Sequence, residues 1–207
     1  MSDELLGDKS KKLDLKHICT KPRRKKLRVI GGTARGKKLL SVPGDTTRPI
    51  LDRVKTPLFD ILRPWLSRKT VLDMFAGSGA VGIEALSQGA EHCTFLDLSK
   101  AAVDTIRTNL ENTGLGGQAE VRKTDAFSYI KNCQRSFDLV YIAPPQYKGL
   151  WIEALQLLAE RPDKVNLGGK IIVQIDPKEN EGVQLTSFFL EDERRYGNTV
   201  LLFFGKR

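Results

Sequence analysis

The residues best suited to chemistry lie between positions 73 and 147. Asp73 precedes the glycine run Gly77-Ser78-Gly79-Ala80-Val81-Gly82, and Asp97 follows about 20 residues after the first glycine. Asp125 comes later, and Ala143-Pro144-Pro145-Gln146-Tyr147 closes an apolar run. The glycines form a literal G-x-G-x-x-G, which with a later acid is the spacing of a dinucleotide-binding loop. Asp73 argues against that ligand. A pyrophosphate would lie against its carboxylate, and a like-charge pair at ~4 Å and an effective dielectric of ~20 costs about 4 kcal/mol.

A cation reverses the sign. S-adenosylmethionine carries a sulfonium, an ammonium, a ribose diol and an adenine amine, and each has a counterpart here. Asp73 attracts the ammonium, directly or through water. Gly77 and Gly79 allow close backbone approach, with Phe75 and Ser78 in the same loop. Asp97, followed by Leu98, accepts from the ribose hydroxyls. Asp125 accepts from the adenine amine, while the Ala126 N–H pairs with a ring nitrogen. The competing explanation for Asp125 is a helix cap ahead of "AFSYI".

These residues need strand ends to converge, and the pattern from residue 70 onward supplies them. "TVLDMF", "EHCTFLDL", "QAEVRKTD", "FDLVYIAPP" and "GGKIIVQID" read as strands. Between them, "GAVGIEALSQG", "SKAAVDTIRTNLENTG", "AFSYIKNC" and "GLWIEALQLLAE" read as helices, with Ser99 as a cap and Gly114 as a stop. Such alternation implies a mostly parallel sheet covered on both faces, with its ligand at the carboxyl ends of the strands. The last stretch reads as two strands joined through "EDERRYGN". Upstream, "LRVIGG" and "KKLLSV" flank "TARG" as a short hairpin. Residues 48–66 place Ile50, Leu51, Val54, Leu58 and Leu62 at helical spacing, with Pro57 and Pro64 expected to start, kink or end that helix.

The chain has 207 residues, 40% of them hydrophobic and 29% charged, which fits one α/β domain with an appendage. No apolar run approaches the ~20 residues needed to cross a bilayer, and the first residues do not read as a secretory signal. Three cysteines at unrelated spacing suggest neither a disulfide framework nor a metal site, and favour a reducing compartment. The net charge of +9 is concentrated at one end. Residues 1–38 hold 13 of the 34 Lys/Arg and four of the 25 acidic residues, so the remainder is neutral. A basic arm on a neutral body points to a polyanion, because each neutralised phosphate releases counterions. The alternative is a solvated tail.

Several stretches carry a resemblance. "RVIGGTARGKKL", "TRPILDRVKTPLFDIL", "VLDMFAGSGAVGIEALSQGA" and "RRYGNT" resemble the bacterial 16S ribosomal RNA guanine-N2 methyltransferase family, over roughly residues 27–207. The resemblance implies a class I, Rossmann-like fold: seven mostly parallel strands with a terminal antiparallel hairpin and an amino-terminal hairpin-and-helix extension. It also implies S-adenosylmethionine as cofactor and methylation of guanine N2 in small-subunit ribosomal RNA, naked or within an assembling 30S particle. A monomer without metal, in bacterial cytoplasm or an organelle of bacterial descent such as a plastid, is expected. Residues 1–26 are then a flexible basic arm, 27–66 an RNA-binding extension and 67–207 the methyltransferase domain. The RNA contacts expected are Arg23, Arg24, Lys25, Lys26, Arg28, Arg35, Lys37, Arg48, Arg53, Lys55 and Tyr196.

One motif departs from the resemblance. Where the family has Asp or Asn, Pro-Pro, then Phe or Tyr, this chain has Ala143-Pro144-Pro145-Gln146-Tyr147. Ala143 offers no side-chain acceptor, and the aromatic ring comes one residue late. The expected substitutes are the Ala143 or Pro144 carbonyl for one amine N–H, Gln146 for the other, and Tyr147 for stacking. The alternatives are a catalytically weak or inactive RNA-binding assembly factor, or a methyltransferase for another base.

Overall fold

The computed structural model describes residues 27–44 and 50–206. Seven strands form one sheet in the order β3-β2-β1-β4-β5-β7-β6. They are β1 (Thr70–Asp73), β2 (His92–Asp97), β3 (Ala119–Lys123), β4 (Phe137–Ile142), β5 (Val165–Ile175), β6 (Phe188–Arg195) and β7 (Val200–Lys206). The first five run parallel, β7 is antiparallel to β5, and β6 is antiparallel to β7. Strand order reverses between β1 and β4, so the ends of those two strands border the crevice where ligands of open α/β sheets bind.

Five helices cover the sheet: α1 (Asp52–Leu66), α2 (Ala80–Ser87), α3 (Lys100–Thr113), α4 (Ala126–Asn132) and α5 (Leu150–Glu160). Side chains alternate across each strand. Val71, Leu139, Tyr141, Ile172 and Leu201 share one core with α1, α2 and α3, while Leu72, Val140, Ile142, Val173 and Leu202 share another with α4 and α5. The first core also takes in Leu27, Val29, Ala34 and Leu39, so the segment 27–39 packs with α1 into the sheet's own interior.

Three local expectations require correction. Both Pro57 and Pro64 lie inside α1, so neither starts nor ends it. Val54, Leu58, Phe59, Leu62 and Leu66 are buried along its inner face, and at ~1.5–3 kcal/mol each their burial outweighs the ~3 kcal/mol cost of an interior proline. The short hairpin of residues 27–42 is present, closed by the antiparallel Arg28–Lys38 bridge, with the Val29 N–H donating to the Lys37 carbonyl and the Leu39 N–H to the Leu27 carbonyl, and its apolar side chains join the first core. Strand β5 begins at Val165, earlier than its "GGKIIVQID" core. Finally, β6 continues through Arg195, so "EDERR" is an exposed edge strand paired to β7 and the connecting turn is only Tyr196–Thr199.

Candidate active site

The carboxyl ends of β1, β2, β3 and β4 and the start of α1 enclose a cavity of about 690 Å3. Asp73, Phe75, Gly77, Ser78, Asp97, Leu98, Asp125 and Ala126 line it on one side, and Ala143, Pro144, Pro145 and Gln146 on the other. Residues predicted for cofactor and for substrate thus share one space. Gly79, not itself in the wall, starts α2 in the left-handed region at φ 76° and lets the chain turn from loop to helix.

Each acid has its own setting. Asp97 is half-buried; its Oδ2 accepts from the Gly77 N–H at 2.9 Å and its Oδ1 from the Ser99 N–H at 2.8 Å. The carboxylate therefore ties the glycine loop to the end of β2. Asp125 is the cap of α4, accepting from the Ser128 N–H at 2.8 Å. Capping and lining the cavity coexist in this residue.

Asp73 is the unusual one. It is buried, its Oδ2 accepts a 3.3 Å bond from the Gly82 N–H, and its Oδ1 has no hydrogen-bond partner. Burial pushes its pKa from 3.8 up to about 7, opposed by the Gly82 bond and aided by the Asp97 charge. A buried oxygen without a partner costs roughly 1–3 kcal/mol, so the fold holds a position that a donor or cation entering the cavity would relieve. That is a fit for a positively charged ligand beside the first glycines.

The loop is braced from behind. Asn109 in α3 is fully buried; its Nδ2 donates to the Ser78 carbonyl at 2.9 Å and the Leu40 carbonyl at 3.0 Å, and its Oδ1 accepts from the Leu40 N–H at 2.7 Å. Gly82 lies so close to β2 that a Cβ there would sit 2.2 Å from the Phe95 ring and 2.6 Å from the Cys93 sulfur. The third glycine of the run serves helix–strand packing, not ligand contact.

Among the other predicted residues, Tyr147 is 63% exposed and does not line the cavity. Its φ is 60°, and its N–H donates to Glu179 Oε1 at 2.6 Å. Tyr196 is half-buried and packs against the first core. Arg35, Lys37 and Arg53 are exposed, as is Arg28, whose Nε lies 3.2 Å from Asp52. Lys55 requires correction as an RNA contact. It is completely buried, its Nζ lying 3.0 Å from Glu84 Oε2 and donating to the Arg28 carbonyl, so it cannot reach a phosphate. Arg23, Arg24, Lys25, Lys26 and Arg48 lie outside the described residues. No cluster of metal-ligating side chains occurs among the described residues.

Sequence reasoning missed the rest of the cavity wall. Val42, Ile50, Leu51 and Val54 roof it with apolar surface, and Tyr141, Gln174, Lys148 and Thr199 add polar groups. Strand-end position could have signalled Gln174; for the apolar roof no local signal exists.

Residues 27–205 match the family described as Conserved hypothetical protein 95. The chain belongs to that family. Relatives include the Ribosomal RNA small subunit methyltransferase D of Haemophilus influenzae, 38% identical over 149 residues, covering 70% of this chain and 77% of that one. YlbH of Bacillus subtilis is 33% identical over 184 residues, covering 87% of this chain and 100% of its own. The solved structure of yhhF from Escherichia coli superposes with a TM-score of 0.77 at 30% identity, covering 88% of this chain and 98% of that one. In this Conserved hypothetical protein 95 member the fold is that of the class I methyltransferases.

Proposed function

We propose that the protein methylates the exocyclic N2 of a guanine in small-subunit ribosomal RNA, using S-adenosylmethionine. The observation that carries the reading is the partnerless, buried Asp73 oxygen in a cavity that also holds Asp97, Asp125 and the Pro-Pro turn. When bound, the cofactor supplies an electrophilic methyl on a sulfonium. Asp73 holds the ammonium end, Asp97 the ribose hydroxyls, and Asp125 with the Ala126 N–H the adenine. Because Asp97 is already oriented by two backbone N–H groups, its remaining lone pairs are aimed before the ligand arrives.

The acceptor amine needs alignment, since its lone pair is delocalised into the base. The Ala143 or Pro144 carbonyl accepts one amine hydrogen, and Gln146, in the same wall, accepts the other. Orientation of this kind can supply about 7–11 kcal/mol of a barrier. Tyr147, exposed and next in sequence to Gln146, stacks on a neighbouring nucleotide, as single-stranded RNA is commonly held. Arg35, Lys37 and Arg53 contribute phosphate contacts together with Arg23, Arg24, Lys25, Lys26 and Arg48 of the basic segments.

Radiolabelled methyl transfer to small-subunit RNA, followed by nucleoside analysis, tests the reading. N2-methylguanosine is the expected product. Ala143 favours one second reading, an assembly factor that binds cofactor and RNA without chemistry; intact binding of both with no transfer would support it.

A further inference from the structure

The cavity floor carries a polar pair with no assigned task. Tyr141 faces the same side of the sheet as Asp73, its register partner in β1, and is buried. Its hydroxyl donates to Gln174 Oε1 at 2.5 Å. The parallel register of β4 and β5 pairs Tyr141 with Ile172 and Ile142 with Val173. Continued by one residue, it sets Ala143 opposite Gln174, and paired residues of parallel strands face the same way. Both line the cavity.

We propose that Gln174, held by Tyr141, is a specificity-determining residue that reads the target base beside Ala143. The inference rests on the reading that a base enters beside Ala143. With Oε1 engaged by the Tyr141 hydroxyl, the amide NH2 is the group left to pair, and among the described residues no acceptor meets it. Its complement is a lone pair. In guanine the ring nitrogen N3 offers one next to the N2 amine. A backbone carbonyl at Ala143 or Pro144 accepting from the amine, and Gln174 donating to the adjacent ring nitrogen, together read an edge that bears both. A uracil edge, without an exocyclic amine, does not match.

The test compares wild type with Gln174→Leu, Gln174→Met and Tyr141→Phe. It measures methyl transfer to small-subunit RNA, S-adenosylhomocysteine affinity by calorimetry, and thermal melting. The Gln174 variants should lose about tenfold or more in kcat/KM for RNA, with S-adenosylhomocysteine affinity within twofold of wild type. Gln174→Met keeps the side chain's length, so it separates loss of the amide from disturbance of the strand. Tyr141→Phe acts through Gln174 and should lower kcat while leaving cofactor KM unchanged. An active wild type whose Gln174→Met variant melts normally and turns over at full rate overturns this assignment alone. A wild type that binds S-adenosylhomocysteine but transfers no methyl overturns the underlying reading as well.

Discussion

Lys55 Nζ lies 3.0 Å from Glu84 Oε2, and neither side chain has any exposure to solvent. The pair joins α1 to α2. Glu84 also accepts from the Ile30 N–H at 2.9 Å and the Gly31 N–H at 2.8 Å, so one carboxylate fastens both α1 and the Ile30–Gly31 turn to α2. Removing one member leaves the other charge buried, which typically costs 3–5 kcal/mol. Lys55→Met should therefore lower unfolding free energy by about that amount. Denaturant unfolding checks it, and an unchanged midpoint would contradict the buried pair.

Asp73 makes both stability and ligand binding depend on pH. Its folded pKa of about 7 lies above the ordinary 3.8, so the folded state keeps a proton that the unfolded chain has released. Its contribution to stability is fully present below pH 3.8 and is lost as pH rises through about 7. The melting temperature of the wild type minus that of Asp73→Asn should fall across this window. Cofactor binding should run the other way, because a cation prefers the carboxylate. Affinity should rise by up to about tenfold per pH unit below 7 and then level off. Calorimetry at several pH values reads this; an equally steep profile in Asp73→Asn would assign it elsewhere.

For Asp97 the expected result is a cofactor defect. Asp97→Ala removes the acceptor assigned to the ribose and also frees the Gly77 N–H. Cofactor affinity should drop at least tenfold, since ~1.4 kcal/mol is modest for two charge-assisted hydrogen bonds. Unaltered affinity would refute the assignment.

Gly82 predicts a packing defect. A Cβ at this position meets the Phe95 ring at 2.2 Å, so Gly82→Ala forces either the buried ring or α2 to shift. A loss of about 1–3 kcal/mol is expected, as for other overpacked cores. Chemical denaturation measures it.

The basic run should govern the salt dependence of RNA binding. Changing Arg23, Arg24, Lys25 and Lys26 to Gln should reduce the slope of log K against log salt by up to about 3, given ~0.7 per single-strand phosphate contact. Cofactor affinity should stay the same. A slope equal to wild type would remove this segment from the RNA interface.

Much of this architecture is local in origin and legible along the chain. Alternating apolar runs, Ser99 capping α3 and Gly114 ending it specify the strand–helix succession, and the acids Asp73, Asp97 and Asp125 announce themselves by their place at or just past strand ends. Helix α1 shows where local rules yield. Two prolines are expected to start, kink or end it, and with the inner face of Val54, Leu58, Phe59, Leu62 and Leu66 buried the helix runs through both.

By itself the sequence determined the order of elements, the acidic strand ends and the placement of excess charge, because those depend on neighbours a few residues apart. Tertiary structure alone decided that Lys55 faces Glu84 instead of solvent, that burial raises Asp73, and that the Tyr141 hydroxyl meets Gln174. Each of these depends on desolvation or on strand register between residues 29 or more positions apart, or, for Asp73, on the layers packed around it. Residue type and spacing carry no record of which distant groups will exclude water together.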